Sequence, residues 1–258
     1  MRAPTYLAAL GMAAALSAGA AQAQGTRFDG AVSYSARDEV KDENNTDEHI
    51  DNDIFRITAG LSWSAGDGRA RAAIELGVMN DFFDGNYPGD YGMEVDYARR
   101  VGNQRYGIAG RVRTSEELST TLELGYALQH LGETFDLRGL AGFQFITDPD
   151  KVRGRDGNSI FGLGEATLYA TPNWAISAAV QGDTGGAVWG VGTEYRRKNW
   201  GGLSVFLDYG QAFDDYRSVP EYDAFVGGIR FFPGAGNTLR EQRQSSLALL
   251  MRRYVEVQ

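Results

Sequence analysis

The chain of 258 residues has no cysteine, six prolines, two histidines (His49 and His130) and three lysines (Lys41, Lys151 and Lys198). Without cysteine there are no disulfides, no thiolate metal centres, no iron–sulfur clusters and no thiol nucleophile. Positive charge is almost all arginine, and it is outnumbered: 25 Lys and Arg face 34 Asp and Glu, a net charge of −9. No basic stripe offsets the acid, which argues against nucleic acid as a partner. The mean hydropathy of −0.34 argues against a helical membrane protein. It is compatible with a membrane barrel, in which lipid-facing and lumen-facing residues alternate and average out. What is abundant is glycine, 34 residues, about twice ordinary usage. The hydrophobic content of 43% is too high for a disordered chain.

Residues 1–23 read as a cleaved signal peptide. Arg2 is the one charge, an apolar stretch follows from about Tyr6 to Ala18, and Ala21-Gln22-Ala23 supplies small residues at the cleavage position. The apolar stretch is too short for a retained span of about 20 residues.

From Gly25 to about Phe232 the pattern alternates with period two, as strands do. Twelve strands are expected, over 26–36, 50–64, 69–80, 91–100, 104–113, 118–130, 133–147, 160–171, 174–182, 186–197, 200–210 and 223–232. Most have the roughly 9–11 residues with which a tilted strand crosses a bilayer. One face is large and apolar, as in Leu122, Leu124, Tyr126 and Leu128. The other is charged or very small, as in Glu123, Gly125, Ala127 and Gln129. A soluble sandwich explains alternation, but not glycine and alanine sharing a face with Arg and Glu. A closed barrel with lipid outside and a crowded, watery lumen explains both, and it removes exposed edges.

The even-numbered connections are all tight, near 65–68, 101–103, 131–132, 172–173 and 197–199. The long polar ones, such as 37–49 and 211–222, are all odd-numbered. Membrane barrels place short turns in the periplasm and longer loops outside, and an even strand number puts both termini on the short-turn side. Aromatics gather at strand ends. Phe28, Trp63, Tyr106, Trp174, Tyr195, Trp200 and Phe231 lie toward the short turns, and Tyr34, Tyr91, Phe145, Tyr209 and Phe225 toward the loops, as residues at the headgroup level do.

With these features, residues 24–232 resemble the bacterial outer-membrane β-barrel proteins, a porin-like class. Ala224-Phe225-Val226-Gly227-Gly228-Ile229-Arg230-Phe231-Phe232 looks like the C-terminal insertion signal of that class, which typically ends in an aromatic; here the chain continues to Gln258. The resemblance implies a location in the outer membrane of a Gram-negative bacterium. The implied partners are membrane lipid, lipopolysaccharide and the barrel-assembly machinery.

The expected organisation is therefore a signal peptide (1–23), a barrel (24–236) and a periplasmic helical tail (237–258). In the tail, Thr238 and Glu241 form a possible capping box before a helix over 239–254, with Leu247, Leu250, Met251 and Tyr254 on one face and Arg240, Arg243, Arg252 and Arg253 around them. It has several open roles: packing under the mouth, plugging the lumen, binding a partner or membrane surface, or docking loosely.

The candidate pore-lining residues are Arg56, Arg71, Glu75, Glu94, Asp96, Arg105, Arg111, Arg113, Glu123, Asp136, Arg138, Glu165, Glu194, Arg196, Asp208 and Arg230. Their signs nearly balance. That fits a weakly selective pore for small hydrophilic solutes, or an ion-pair network that fills the lumen in a structural or adhesion-type barrel binding lipopolysaccharide or a partner. Arg105, Arg111 and Arg113 form either an anion-attracting stripe or pairs with neighbouring acids such as Glu94, Asp96, Glu123 and Asp136. The acidic loop Asp38–Asp53 lacks the spacing of a calcium loop and reads as a solvated segment, with divalent cations bridging lipopolysaccharide as its possible ligands. No cofactor or metal is expected. A barrel hydrolase is the third reading; His49, between Asp47 and Asp51, is the residue to watch, while His130 has no serine two residues on. Gly162 and Gly164, like Gly190 and Gly192, fall within strands and read as small inward-facing residues rather than a dinucleotide loop.

Overall fold

A computed structural model describes residues 25–39, 50–51, 53–80, 89–115, 120–147, 158–183, 186–212, 222–234 and 236–247. The expected leader, His49 and most of the acidic first loop lie outside the described residues.

The alternating segments form a closed antiparallel barrel of twelve strands. They are β1 (Arg27–Glu39), β2 (Asp53–Ala65), β3 (Gly68–Asn80), β4 (Gly89–Val101), β5 (Gln104–Ser115), β6 (Thr120–Leu131), β7 (Phe135–Ile146), β8 (Asn158–Thr171), β9 (Trp174–Asp183), β10 (Gly186–Tyr195), β11 (Leu203–Ala212) and β12 (Tyr222–Phe231). A two-residue strand at Ile50–Asp51 pairs with the end of β1. Each strand pairs with its sequence neighbour, and β12 closes on β1 from Gly30 opposite Phe231 to Glu39 opposite Tyr222. Every expected strand is present, with ends shifted by a few residues.

The tight turns fall at one end, where both Arg27 and Phe231 also lie. Gly66 (φ 57°) and Gly102 (φ 58°) each open a two-residue connection, in the left-handed conformation that hairpin turns require and that glycine adopts without a Cβ clash.

The faces are inverted relative to a soluble protein. Leu124 (58% exposed), Phe143 (57%) and Ile160 (60%) point outward, while Arg71 and Asp96 (1% each) and Glu194 (2%) point inward. An all-round apolar exterior needs an apolar solvent, and strand pairing around the closed wall satisfies the backbone groups that lipid cannot. Trp63, Trp174 and Tyr195 stand exposed at the short-turn end, and Tyr34, Tyr91, Phe145 and Phe225 at the other.

The glycine assignment needs correction on β8. Leu163 and Glu165 are buried while Gly164 is exposed, so Gly162 and Gly164 lie on the outer face, and Phe161 and Leu163 project into the lumen. Period two fixes which residues share a face, but not which face holds the bulk. Gly190 and Gly192 do share the inward phase of buried Glu194. Inward glycines elsewhere make room: a Cβ on Gly142 would lie 2.7 Å from the Phe161 ring, and one on Gly125 3.2 Å.

After β12, Pro233-Gly234 turns the chain back into the short-turn mouth. The capping box forms as expected. Thr238 Oγ1 accepts from Glu241 N (3.2 Å), and Glu241 Oε2 accepts from Thr238 N (3.3 Å). The helix α1 covers only Leu239–Ser245, because Ser246 is extended (φ −87°, ψ 145°). This shortens the expected 239–254 helix. Leu250, Met251 and Tyr254 lie outside the described residues.

Candidate functional site

The candidate site is the lumen. All sixteen residues expected to line it lie on the inward side of the wall or at its short-turn rim. The strand phase brings them together; the pairings come from reach across the wall.

Toward the long loops, Glu75 accepts from Arg113 Nη2 (2.7 Å) and lies at ion-pair distance from Arg56 Nε (2.9 Å). Arg111 holds Glu123 through Nε (2.8 Å) and Nη2 (2.6 Å). A second group centres on Arg71. Its Nη2 donates to Asp29 Oδ1 (2.8 Å), and its Nη1 to Glu94 Oε1 (2.5 Å) and Asp96 Oδ2 (3.0 Å). Several of these bridges skip a strand. Asp29 on β1 and Arg71 on β3 meet across Gly60 of β2, where a Cβ would sit 2.7 Å from Asp29 Oδ1. Glu75 on β3 and Arg113 on β5 meet across Gly92 of β4, which stands in register with both. Inward glycines are thus gaps through which long side chains pair over an intervening strand.

Nearer the short-turn mouth, Arg138 pairs with Glu165, and Arg230 with Glu194 (2.7 Å) and Asp208 (3.7 Å). The Arg230 guanidinium also lies over the Phe206 ring at 3.6 Å. Asp136 accepts from Gly132 N (2.9 Å) and Tyr169 Oη (2.5 Å).

The tail occupies this mouth. Its backbone is tied to the Pro172–Asn173 turn: Arg240 N donates to Pro172 O (3.0 Å), and Leu239 N to Asn173 Oδ1 (3.1 Å). Leu239 is fully buried against Tyr169 and Ala175. Arg243 reaches between two strands, donating to Glu194 (2.8 Å), Glu165 (3.1 Å) and Thr167 (3.2 Å). Gln242 donates to Gly202 O, and Gln244 to Gly132 O (2.7 Å) and Asp136 (2.8 Å). Beyond α1, Leu247 (2% exposed) seats on an inward apolar patch of Leu140, Phe161 and Leu163. Between the tail and the wall remains a cavity of about 30 Å³ beside Gln129, Asp136, Arg138, Glu165, Thr167 and Arg243, room for a water but not for a solute.

Two expected lining residues behave differently from the rest. Arg105 (5% exposed) donates to Gln129 (3.0 Å), Ser246 O (3.0 Å) and Gln244 O; Arg196 (4% exposed) donates to Gly236 O (2.9 Å), Thr238 O (3.1 Å) and Gln242 Oε1 (3.4 Å). Neither meets a carboxylate at ion-pair distance among the described residues, so Arg105 does not form the pairing with neighbouring acids that alternation suggested.

Arg243 is a site residue that strand phase does not identify, because it lies in the tail; a guanidinium in a capped helix following the last strand is its one sequence signal. The inward patch of Phe161 and Leu163 follows from the phase of Glu165, and placing Gly162 and Gly164 inward obscures it. Of the histidines, His130 lies at a tight turn, its Nδ1 2.9 Å from Gln104 Nε2 and its ring stacked on Phe135.

A closed, even-numbered antiparallel barrel with an apolar exterior, a charged lumen and both ends of the wall on the short-turn side is the fold of outer-membrane β-barrels. Its structural neighbours include porins. An outer-membrane channel from Pseudomonas putida F1 matches with a TM-score of 0.57 at 11% identity, covering 81% of this chain and 96% of that one. The NanC porin matches with 0.54 at 12% identity, covering 79% and 98%. Outer membrane phospholipase A from Escherichia coli matches with 0.52 at 10% identity, covering 81% and 97%. At these identities the likeness is one of fold. No family model matches the sequence, and no curated protein does.

Proposed function

We propose that the chain is exported by its leader to the outer membrane and forms a passive channel there for small hydrophilic solutes, drawn here with its periplasmic mouth shut by its own tail. One observation carries this reading: the mouth is filled by a terminal segment, not by the wall. A barrel that serves only as a scaffold is filled by its own strands. At twelve strands, with Gly and Ala on the inner face, the wall leaves space, and the filler is a short helix held by hydrogen bonds and one bridging guanidinium. Such a filler can leave without breaking a strand pair. Diffusion would follow its withdrawal, along a wall whose paired charges orient a polar solute without binding it tightly.

Planar-bilayer conductance tests the proposal. The intact chain is expected to show rare openings, and Arg243→Ala, which unlatches Glu165 and Glu194, at least about tenfold more, as expected for about 1.4 kcal/mol of lost latch energy. A folded barrel silent in both forms would refute the channel and leave the scaffold reading, in which the loops meet lipopolysaccharide or a partner. Phospholipid turnover by the purified protein would replace both with a hydrolase.

A further inference from the structure

Six inward guanidiniums of the wall, those of Arg56, Arg71, Arg111, Arg113, Arg138 and Arg230, have a carboxylate at ion-pair distance. Arg105 and Arg196 do not, and unlike the half-buried Arg27 and Arg69 at the rim they are 5% and 4% exposed. Both are buried, where a cation without a counter-charge is expensive. Among the described residues, what satisfies them is the tail: carbonyls of Gln244 and Ser246 for Arg105, and those of Gly236 and Thr238 for Arg196. Carbonyl oxygens carry partial negative charge, so these contacts are a neutral substitute for an anion.

Withdrawal of the tail changes the mouth asymmetrically. Glu165 and Glu194 lose Arg243 but keep Arg138 and Arg230. Asp136 keeps Gly132 N and Tyr169 Oη. Arg105 is left with Gln129 alone, and Arg196 with none of its present partners. The vacated mouth therefore gains two guanidiniums that meet no carboxylate at ion-pair distance, against one acid, Asp136, which loses the Gln244 amide and keeps two neutral donors.

From this we infer that the tail covers an anion site, with Arg105 and Arg196 as its two recognition groups and carboxylate-bearing solutes as its ligands. A guanidinium fork matches a planar carboxylate through two parallel hydrogen bonds. The tail itself gives the spacing. Thr238 sits on one guanidinium and Gln244–Ser246 on the other, six to eight residues on, which at helical rise is about 10 Å. The site holds one carboxylate at each arginine, or the two ends of an extended dicarboxylate. Ligand and tail compete for the same donors, so the ligand binds only the tail-out state and raises its population. The inference rests on the channel proposal for its physiological meaning, but its binding test does not need conductance.

Because the chain has no cysteine, Leu247→Cys is its single thiol, buried on the lumen patch while the tail is docked. The full-length variant in lipid vesicles is treated with a charged maleimide, in sodium suberate (an eight-carbon dicarboxylate) or in sodium chloride of equal ionic strength. Suberate is expected to raise the labelling rate at least about threefold over chloride. Adding Arg105→Gln and Arg196→Gln is expected to raise the baseline and abolish the suberate response. Equal rates in the two salts, or a response that survives both substitutions, would overturn the site. A variant that does not fold, judged by heat-modifiable gel migration, is replaced by a second measurement, the reversal potential of Arg243→Ala in a potassium chloride gradient. Chloride preference is expected there, and cation preference or none would overturn the site. A suberate response without conductance sinks the channel and keeps the anion site, whereas conductance without a suberate response does the reverse.

Discussion

Replacing Arg71 by methionine tests whether the lumen charges hold the wall together. Arg71 is the one cation at ion-pair distance from Asp29, Glu94 and Asp96 among the described residues, and it is 1% exposed. It donates three bonds to Asp29, at 2.8, 3.0 and 3.1 Å, and one each to Glu94 and Asp96. Methionine keeps much of the volume and removes the charge, so the loss is electrostatic. Removing one partner of a buried pair costs about 3–5 kcal/mol, because the remaining carboxylate is left uncompensated. Here three remain, mutually repulsive, so the upper end of that range, about 5 kcal/mol, is expected. Asp96→Asn goes the other way: it removes one of three like charges and leaves an amide that still accepts from Arg71, and a change within about 1 kcal/mol is expected. In the double variant Asp96→Asn should return part of the Arg71→Met loss, a coupling of about 1–2 kcal/mol. The assay is reversible guanidinium unfolding of the barrel from lipid vesicles, read by tryptophan fluorescence. A loss below about 1 kcal/mol for Arg71→Met would refute the reasoning. It would mean that water in the lumen screens these carboxylates and that the network is ornament on a wall held by strand pairing alone.

Three further outcomes follow from the same geometry. Gly60→Ala puts a Cβ 2.7 Å from Asp29 Oδ1 and 2.9 Å from Arg71 Nη2 and is expected to cost about 2 kcal/mol in the same unfolding assay, whereas Gly164→Ala, outward with nothing within 4 Å, is expected to cost less than about 0.5 kcal/mol. Arg99→Ala removes a pair with Asp67 in which both side chains are 57% exposed, and a change within about 0.5 kcal/mol is expected at moderate salt. Leu247→Asp places a charge on the Leu140–Phe161–Leu163 patch; it is expected to free the tail and raise open probability in bilayers by at least about tenfold without altering gel migration of the barrel.

The strands were legible in the sequence because period two depends on local chemistry alone. Leu122 to Gln129 reads in and out as it stands, and connection lengths settle which end is which. What escaped depended on distant partners. On β8, Phe161 and Leu163 share the inward phase of Glu165, and their bulk is met by Leu247 and by the gaps over Gly125 and Gly142, contacts that β8 does not announce. The helix stops at Ser245, though the apolar spacing continues, because Arg105 draws Gln244 O and Ser246 O to the wall and Leu247 is turned into the lumen. The lining charges were legible as a set, since a face is a matter of phase. Their pairing was not, since Asp29–Arg71 and Glu75–Arg113 reach over a whole strand through a glycine.

The tail also dictates an order of assembly. Each strand pairs with its neighbour in the chain, and the bond that completes the ring, β12 on β1, spans the whole wall. The tail then joins groups drawn from several strands: Arg105 is 139 and 141 residues from the carbonyls it holds, and Arg243 is 78 and 49 from Glu165 and Glu194. Those acceptors converge only once the ring has closed, so the loop-closure entropy of plugging is met last, by a segment that follows the strand resembling an insertion signal. A newly closed barrel would therefore pass through an unplugged interval, with its mouth open before its own terminus arrives to seal it.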